Sequence, residues 1–188
     1  ETKETRIHVE LTRTRDAERT SAVTGLPFLD HMLTTLAHYA GLDLRITAAG
    51  DLAHHLIEDT AITIGQAVAT FVPAGAARYG DRTIPMDDAL VQSVIDVGGR
   101  SFFVGRLPSR LYTHVLRSFA DALGATLHVR VLRGKDKHHI IEAGFKATGL
   151  ALRQALRETD AGIFSTKGQV MITEEEIGDE LSTRDGLV

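Results

Sequence analysis

The sequence repeats itself once along its length, and this repeat limits the possible folds more than any other feature. Residues 28–33, Phe-Leu-Asp-His-Met-Leu, align with residues 111–116, Leu-Tyr-Thr-His-Val-Leu, at an offset of 83 positions. With one further residue inserted, residues 54–58, His-His-Leu-Ile-Glu, align with residues 138–142, His-His-Ile-Ile-Glu. Because repeats of this length mark duplicated supersecondary units, we expect two α+β halves related by approximate twofold symmetry.

The same order of elements is predicted in both halves. Alternating apolar residues indicate strands, and apolar residues three or four positions apart indicate helices. The predicted elements are strand 6–13, helix 27–40, strand 43–46 and helix 54–69, then strands 90–97 and 101–104 joined through Gly98-Gly99, a helix ending at Gly124, strand 127–131 and a helix from near residue 138. Each half would be a small mixed sheet with two helices on one face. We assign the repeats to residues 1–84 and 85–172 of one single-domain protein, and expect a flexible acidic tail at 173–188.

The composition excludes several classes of function. The 188 residues carry a net charge of −4, which argues against a nucleic-acid or membrane partner. No apolar run approaches the roughly 20 residues of a membrane span, and no secretory leader opens the chain, so we expect a cytoplasmic protein. Cysteine is absent, which excludes disulfides, thiolate metal sites and cysteine nucleophiles. Any metal ion must therefore bind to histidine and carboxylate side chains.

The repeated His-His-x-x-Glu motif has the geometry of a ligand for two metal ions. Residues i and i+4 share one face of a helix, so His54 and Glu58 can reach the same ion. His55 points about 100° away and must serve another ion. The second motif repeats this geometry, and each motif follows a helix-borne histidine, so the candidate ligands are His31, His54, His55, Glu58, His114, His138, His139 and Glu142. Six histidines and two glutamates divide into two sites of three His and one Glu, a set that suits a divalent first-row ion and, with its carboxylate, Mn²⁺.

A second group of candidates consists of cationic and hydroxyl side chains that could hold a phosphate group. Arginine and lysine clamp phosphate, and a Ser-Thr turn offers hydroxyl and backbone N–H donors. Taken one at a time, each is better explained as a solvent-exposed surface residue. The members of this group are Arg78, Arg100, Lys146, Ser165, Thr166 and Lys167.

Several motifs, in the same order along residues 3–170, resemble the imidazoleglycerol-phosphate dehydratase family. They are residues 28–33, Gly50-Asp51, residues 54–62, Pro85-Met-Asp87, the segment 96–100 ending in Arg100, residues 138–142, Phe145-Lys146-Ala and Ser165-Thr-Lys-Gly168. The resemblance implies a fold like domain 2 of ribosomal protein S5, with the helices packed between two sheets. It also implies an assembly of 24 subunits built from trimers, with metal sites formed across subunit boundaries.

The resemblance assigns a role to each candidate residue. It implies one Mn²⁺ site from His31, His55, His138 and Glu142, and a second from His54, Glu58, His114 and His139. It places Arg78, Arg100, Lys146, Ser165, Thr166 and Lys167 at the substrate and its phosphate. Glu4 matches a glutamate that contacts the substrate, and it is our candidate for the proton carrier beside the catalytic Glu58 and Glu142.

The activity implied is dehydration of imidazole glycerol phosphate to imidazole acetol phosphate and water, in histidine biosynthesis. Two alternatives remain at this stage. A dinuclear metallohydrolase would use the same ligand types but would hold its ions roughly 3.5–4 Å apart. A non-enzymatic, metal-dependent assembly protein would explain the ligands but would leave Arg78, Arg100 and Lys167 without a role. The distance between the two metal ions discriminates among the three.

Overall fold

A computed structural model of the chain describes residues 2–13 and 20–159. Within these residues the chain forms seven strands and four helices. In chain order they are β1 (Thr5–Arg13), β2 (Ser21–Val23), α1 (Pro27–Ala40), β3 (Leu42–Gly50), α2 (Ala53–Ala69), β4 (Tyr79–Met86), β5 (Ala89–Asp96), β6 (Phe102–Gly105), α3 (Arg110–Leu123), β7 (Thr126–Arg133) and α4 (Lys137–Ala155).

The strands form two mixed sheets. The first has the order β1-β3-β2, with β1 antiparallel and β2 parallel to β3. The second has the order β4-β5-β7-β6, with β5 antiparallel to β4 and β7, and β6 parallel to β7. The helices α1 and α2 pack on the first sheet, α4 packs on the second, and α2 contacts α3 as α1 contacts α4. The expected α+β class, with four helices between two small mixed sheets, is confirmed.

Two glycines related by the repeat set the distance between the helices. A Cβ atom on Gly65 of α2 would lie 2.6 Å from the carbonyl oxygen of Phe119 in α3. A Cβ on Gly149 of α4 would lie 2.7 Å from the carbonyl oxygen of Leu36 in α1. Because these distances are shorter than van der Waals contact, each helix pair approaches closely only where glycine stands. The four helices thereby enclose one core in which Phe119 and Phe145 are fully buried.

The structure differs from the predicted elements at two strands and one connection. The strands β2 and β4 were not predicted, and β4 contains Gly80 and Pro85, which both disfavour strand structure. The strands β5 and β6 follow each other along the chain, yet β7 lies between them in the sheet. The predicted helix ends at Gly41 and Gly124 are confirmed, and both glycines adopt positive φ angles, of 70° and 71°.

The division of the chain into repeats 1–84 and 85–172 stays a prediction. The expected acidic tail at 173–188 lies outside the described residues. Among the helices that the structure describes, none is both long and apolar enough to cross a membrane.

Candidate metal centre

Three side chains from the first and last helices converge at one end of the helix layer. We call His31 of α1 with His138 and Glu142 of α4 the Glu142 cluster. The Glu142 Oε2 atom lies 3.1 Å from His138 Nε2 and 3.4 Å from His31 Nε2. The two imidazole rings are stacked, with centroids 6.3 Å apart. Glu142 is buried whereas both histidines are exposed, so the ligand atoms form a cup that opens outward.

The repeat builds a second cluster from the other two helices. We call His54 and Glu58 of α2 with His114 of α3 the Glu58 cluster. The Glu58 Oε2 atom lies 3.3 Å from His114 Nε2 and 3.6 Å from His54 Nε2, and the two imidazole rings stack with centroids 5.3 Å apart. The His114 Nε2 atom is buried, and although Glu58 is close, it has no hydrogen-bond partner of acceptable geometry in the described part of the chain. A buried, unpartnered ring nitrogen that faces a carboxylate is the arrangement expected of a metal ligand.

The remaining two candidate histidines lie outside both clusters. His55 Nδ1 lies 3.0 Å from Asp51 Oδ1 and 3.4 Å from Glu4 Oε2. His139 Nδ1 lies 2.9 Å from Asp88 Oδ1. As the helix geometry predicts, these histidines diverge from the neighbouring histidine in each pair. Within one described chain, each cluster therefore contains three of the four ligands that the resemblance implies.

Carboxylates fix the orientation of both outlying rings. The hydrogen bond from His139, followed by those from the backbone N–H groups of Lys135 and Asp136, lowers the pKa of Asp88 to about 2. The hydrogen bond to Asp88 in turn raises the pKa of His139. In the first half, the hydrogen bond to Asp51 raises the pKa of His55. The carboxylates thus hold the Nδ1 atom of each ring, and the Nε2 atom of His139 also lies 3.3 Å from Asp87 Oδ2.

The expected substrate-binding residues do not lie together in the described part of the chain. Lys146 joins the Glu142 cluster, with its Nζ 2.8 Å from Glu142 Oε1. Arg78 forms a two-pronged ion pair with Asp96, at 2.7 and 3.0 Å. Arg100 is exposed in the loop after β5. Ser165, Thr166 and Lys167 lie outside the described residues.

Asp88 is a functional residue that was not predicted from the sequence. Its signal lies in the repeat, because Glu4 and Asp88 are 84 positions apart, the same offset that separates the two His-His pairs. Each of these acids precedes a long strand and contacts the second histidine of its pair. Comparing the two halves residue by residue would therefore have found it.

The donor set fits a divalent first-row ion. Each cluster offers two imidazole nitrogens and one carboxylate oxygen, all within 4.8 Å of one another, and leaves further coordination positions open. Two such clusters, placed by a duplicated α+β fold, define a candidate metal-binding protein with paired sites.

The chain belongs to the imidazoleglycerol-phosphate dehydratase family, a family of hydro-lyases. The family model for imidazoleglycerol-phosphate dehydratase matches residues 24–152. The imidazoleglycerol-phosphate dehydratase of Methanococcoides burtonii is 45% identical over 183 residues, which cover 89% of this chain and 94% of the relative. The crystal structure of the Pyrococcus furiosus dehydratase in complex with (S)-C348 superposes with a TM-score of 0.80 at 40% identity, covering 90% of this chain and 98% of the other.

One relative is much longer than this chain. The histidine biosynthesis bifunctional protein HisB of Legionella pneumophila is 44% identical over 183 residues, which cover 89% of this chain. The chain spans about half of that relative's length, 51%.

Proposed function

We propose that the protein dehydrates D-erythro-imidazole glycerol phosphate to imidazole acetol phosphate and water, a step of histidine biosynthesis, in the cytoplasm. The observation that carries the proposal is the pair of repeated His/Glu clusters, found in a chain of this family. A single cluster would serve many metal enzymes. Two clusters related by the repeat suit a substrate whose imidazole ring has a nitrogen on each side.

The metal ions would be two Mn²⁺ per active site. The Glu142 cluster, with a His55, would hold one, and the Glu58 cluster, with a His139, would hold the other. When bound, the ions would supply Lewis acidity and a template for the ring as imidazolate. His55 and His139 lie apart from the clusters of their own chain and would complete sites on neighbouring subunits. The proposed assembly is a homo-oligomer, and the resemblance to the family makes it a 24-mer built from trimers.

The chain's own residues would bind the substrate and move the protons. The Glu4 carboxylate lies 3.4 Å from the ring of the candidate ligand His55. A carboxylate next to a metal ligand supports Glu4 as the proton carrier. Glu58 and Glu142 would orient the site as ligands. The phosphate group would be held by cations and by a hydroxyl turn: Arg78, Arg100, Lys146, Ser165, Thr166 and Lys167.

The test is turnover of imidazole glycerol phosphate by Mn²⁺-loaded protein, with imidazole acetol phosphate measured as the product. A second measurement is the metal–metal distance, which an imidazolate bridge holds longer than the roughly 3.5–4 Å of a hydroxide-bridged pair. Arg100→Ala should raise the KM and leave the metal content unchanged. Hydrolysis of phosphoesters without dehydration would favour a metallohydrolase and overturn the proposal.

A further inference from the structure

The two clusters differ at one position that the repeat makes directly comparable. Lys146 stands four residues after Glu142, and Ile62 stands four residues after Glu58. Lys146 Nζ lies 2.8 Å from Glu142 Oε1, the oxygen turned away from the histidines. An isoleucine has no hydrogen-bond donor or charge to offer at the equivalent place. Glu142 is therefore paired with a cation of its own helix, whereas the residue four positions after Glu58 is apolar.

The contacts of Lys146 hold its charge in place. Its side chain is largely buried, and its Nζ lies 3.5 Å from the Met86 sulfur and 5.7 Å from the centre of the Tyr39 ring. The side chain of its partner Glu142 is only 9% exposed, whereas the side chain of Glu58 is 38% exposed. The lysine thus compensates a carboxylate that water cannot reach easily.

We propose that Lys146 makes the two metal positions unequal, so that the ion at the Glu142 cluster binds more weakly and exchanges first. This rests on the proposed function only in taking the two clusters as metal sites. A divalent ion at the Glu142 cluster would bind the carboxylate that already pairs with the Lys146 ammonium group. Two positive charges on one carboxylate repel each other strongly in a partly buried site. The carboxylate is also compensated before the ion arrives, so the ion gains less by binding. At the Glu58 cluster the equivalent residue is Ile62, which neither repels the ion nor compensates the carboxylate.

The inequality is measured by stepwise removal of metal from the loaded assembly. Mn²⁺-loaded protein is equilibrated with chelator buffers that fix the free Mn²⁺ concentration, and the bound metal per chain is determined by elemental analysis. The expected result is a loss in two equal steps, separated by at least about tenfold in free Mn²⁺. A single step would overturn the proposal.

Three variants assign the weaker step. Lys146→Met removes the charge and keeps an unbranched side chain, and it should move the weaker step about tenfold lower in free Mn²⁺. Lys146→Arg keeps the charge and should preserve the separation. Ile62→Lys places a cation four residues after Glu58 and should weaken the stronger step instead. Circular dichroism verifies that each variant is folded.

The outcomes separate this proposal from the dehydratase function. Loss of both ions in a single step, from a wild-type protein that turns over imidazole glycerol phosphate, would refute only the role of Lys146. Loss of Mn²⁺ in two separate steps, from a protein that does not turn over imidazole glycerol phosphate, would refute only the proposed dehydration. If Lys146→Met and Lys146→Arg both left the two steps at their wild-type Mn²⁺ concentrations, the separation of the steps would not come from the charge of Lys146. The proposal would then be wrong.

Discussion

At the scale of single residues, the histidine pairs show what helix geometry determines and what it leaves open. The divergence of His54 from His55, and of His138 from His139, follows from the 100° rotation per residue. The partners of the outlying rings do not, because Asp88 reaches His139 from a turn about 50 residues earlier, a contact that depends on the fold. The i, i+4 pair within each cluster was thus accessible from helix geometry. The contact of Asp88 with His139 was seen only in the structure, although the repeat makes Asp88 the counterpart of Glu4.

We predict that His55→Ala and Glu142→Ala each abolish dehydration and lower the metal bound per chain. Each variant removes one of four proposed ligands from the same site. Elemental analysis gives the metal content, and His128→Ala is the matched control because His128 is an exposed histidine on β7. Full metal content in either ligand variant would contradict the assignment.

The Arg78–Asp96 ion pair gives a prediction about acid stability. Burial would raise the pKa of Asp96, but the hydrogen bonds from Arg78 and from the Gly98 backbone outweigh it and lower the pKa below 3.8. A lowered folded-state pKa stabilises the protein above pH 3.8, and this stability is lost as the pH falls through the folded-state value. Asp96→Asn should therefore reduce the free energy of unfolding by about 1–3 kcal/mol at pH 7 and by less near pH 3. Urea titrations at the two pH values test this, and an equal loss at both would contradict it.

At the scale of elements, the packing of α2 on α3 and of α4 on α1 depends on glycine. We predict that Gly65→Ala and Gly149→Ala each lower the free energy of unfolding by about 1–3 kcal/mol, because the added methyl group meets a backbone carbonyl of the facing helix. Alanine alone would favour the helix by about 1 kcal/mol, so propensity predicts the opposite sign.

The control for this prediction lies in the same helix. At Gly144 an added Cβ would lie 3.2 Å from the end of the Leu107 side chain, which can move. Gly144→Ala should therefore change the stability much less than Gly149→Ala in the same thermal or urea denaturation. Equal losses at the two positions would show that close backbone approach is not the cause.

The predicted elements were correct where the local pattern was strong. Pro27 at the first position of α1 and Gly41 just after its end are local signals, and both ends were found. The strand β4 is stabilised by its pairing with β5 in spite of Gly80 and Pro85, and this pairing is not visible in the local sequence. The start of α2 was predicted to within one residue from its apolar pattern, although Leu52 at its N-cap offers no capping side chain. In α4 the N-cap residue Asp136 accepts hydrogen bonds from two backbone N–H groups.

At the scale of the whole molecule, the core and the metal clusters depend on different contacts. The buried side chains of the four helices pack within one chain, as Leu33, Leu116, Phe119 and Phe145 show. The clusters, in contrast, lie at the surface and contain three of the four implied ligands within the described residues of a chain. If the fourth ligand comes from a neighbouring subunit, each metal ion is a crosslink between chains that are already folded.

We therefore predict that metal removal dissociates the assembly into trimers, while the subunits stay folded. Complete chelation should lower the mass measured by light scattering and leave the helical circular dichroism intact, and added Mn²⁺ should restore the mass. Acidification below about pH 6.5 should act in the same direction, because the ligands must lose their protons to bind metal. Acid should weaken metal binding most readily at His55 and His139. Their carboxylate partners raise the pKa of both rings, so these rings become protonated at a higher pH. An unchanged high mass after complete removal of the metal would show that the ions lie within single chains, and a loss of helical signal would show that the core depends on them.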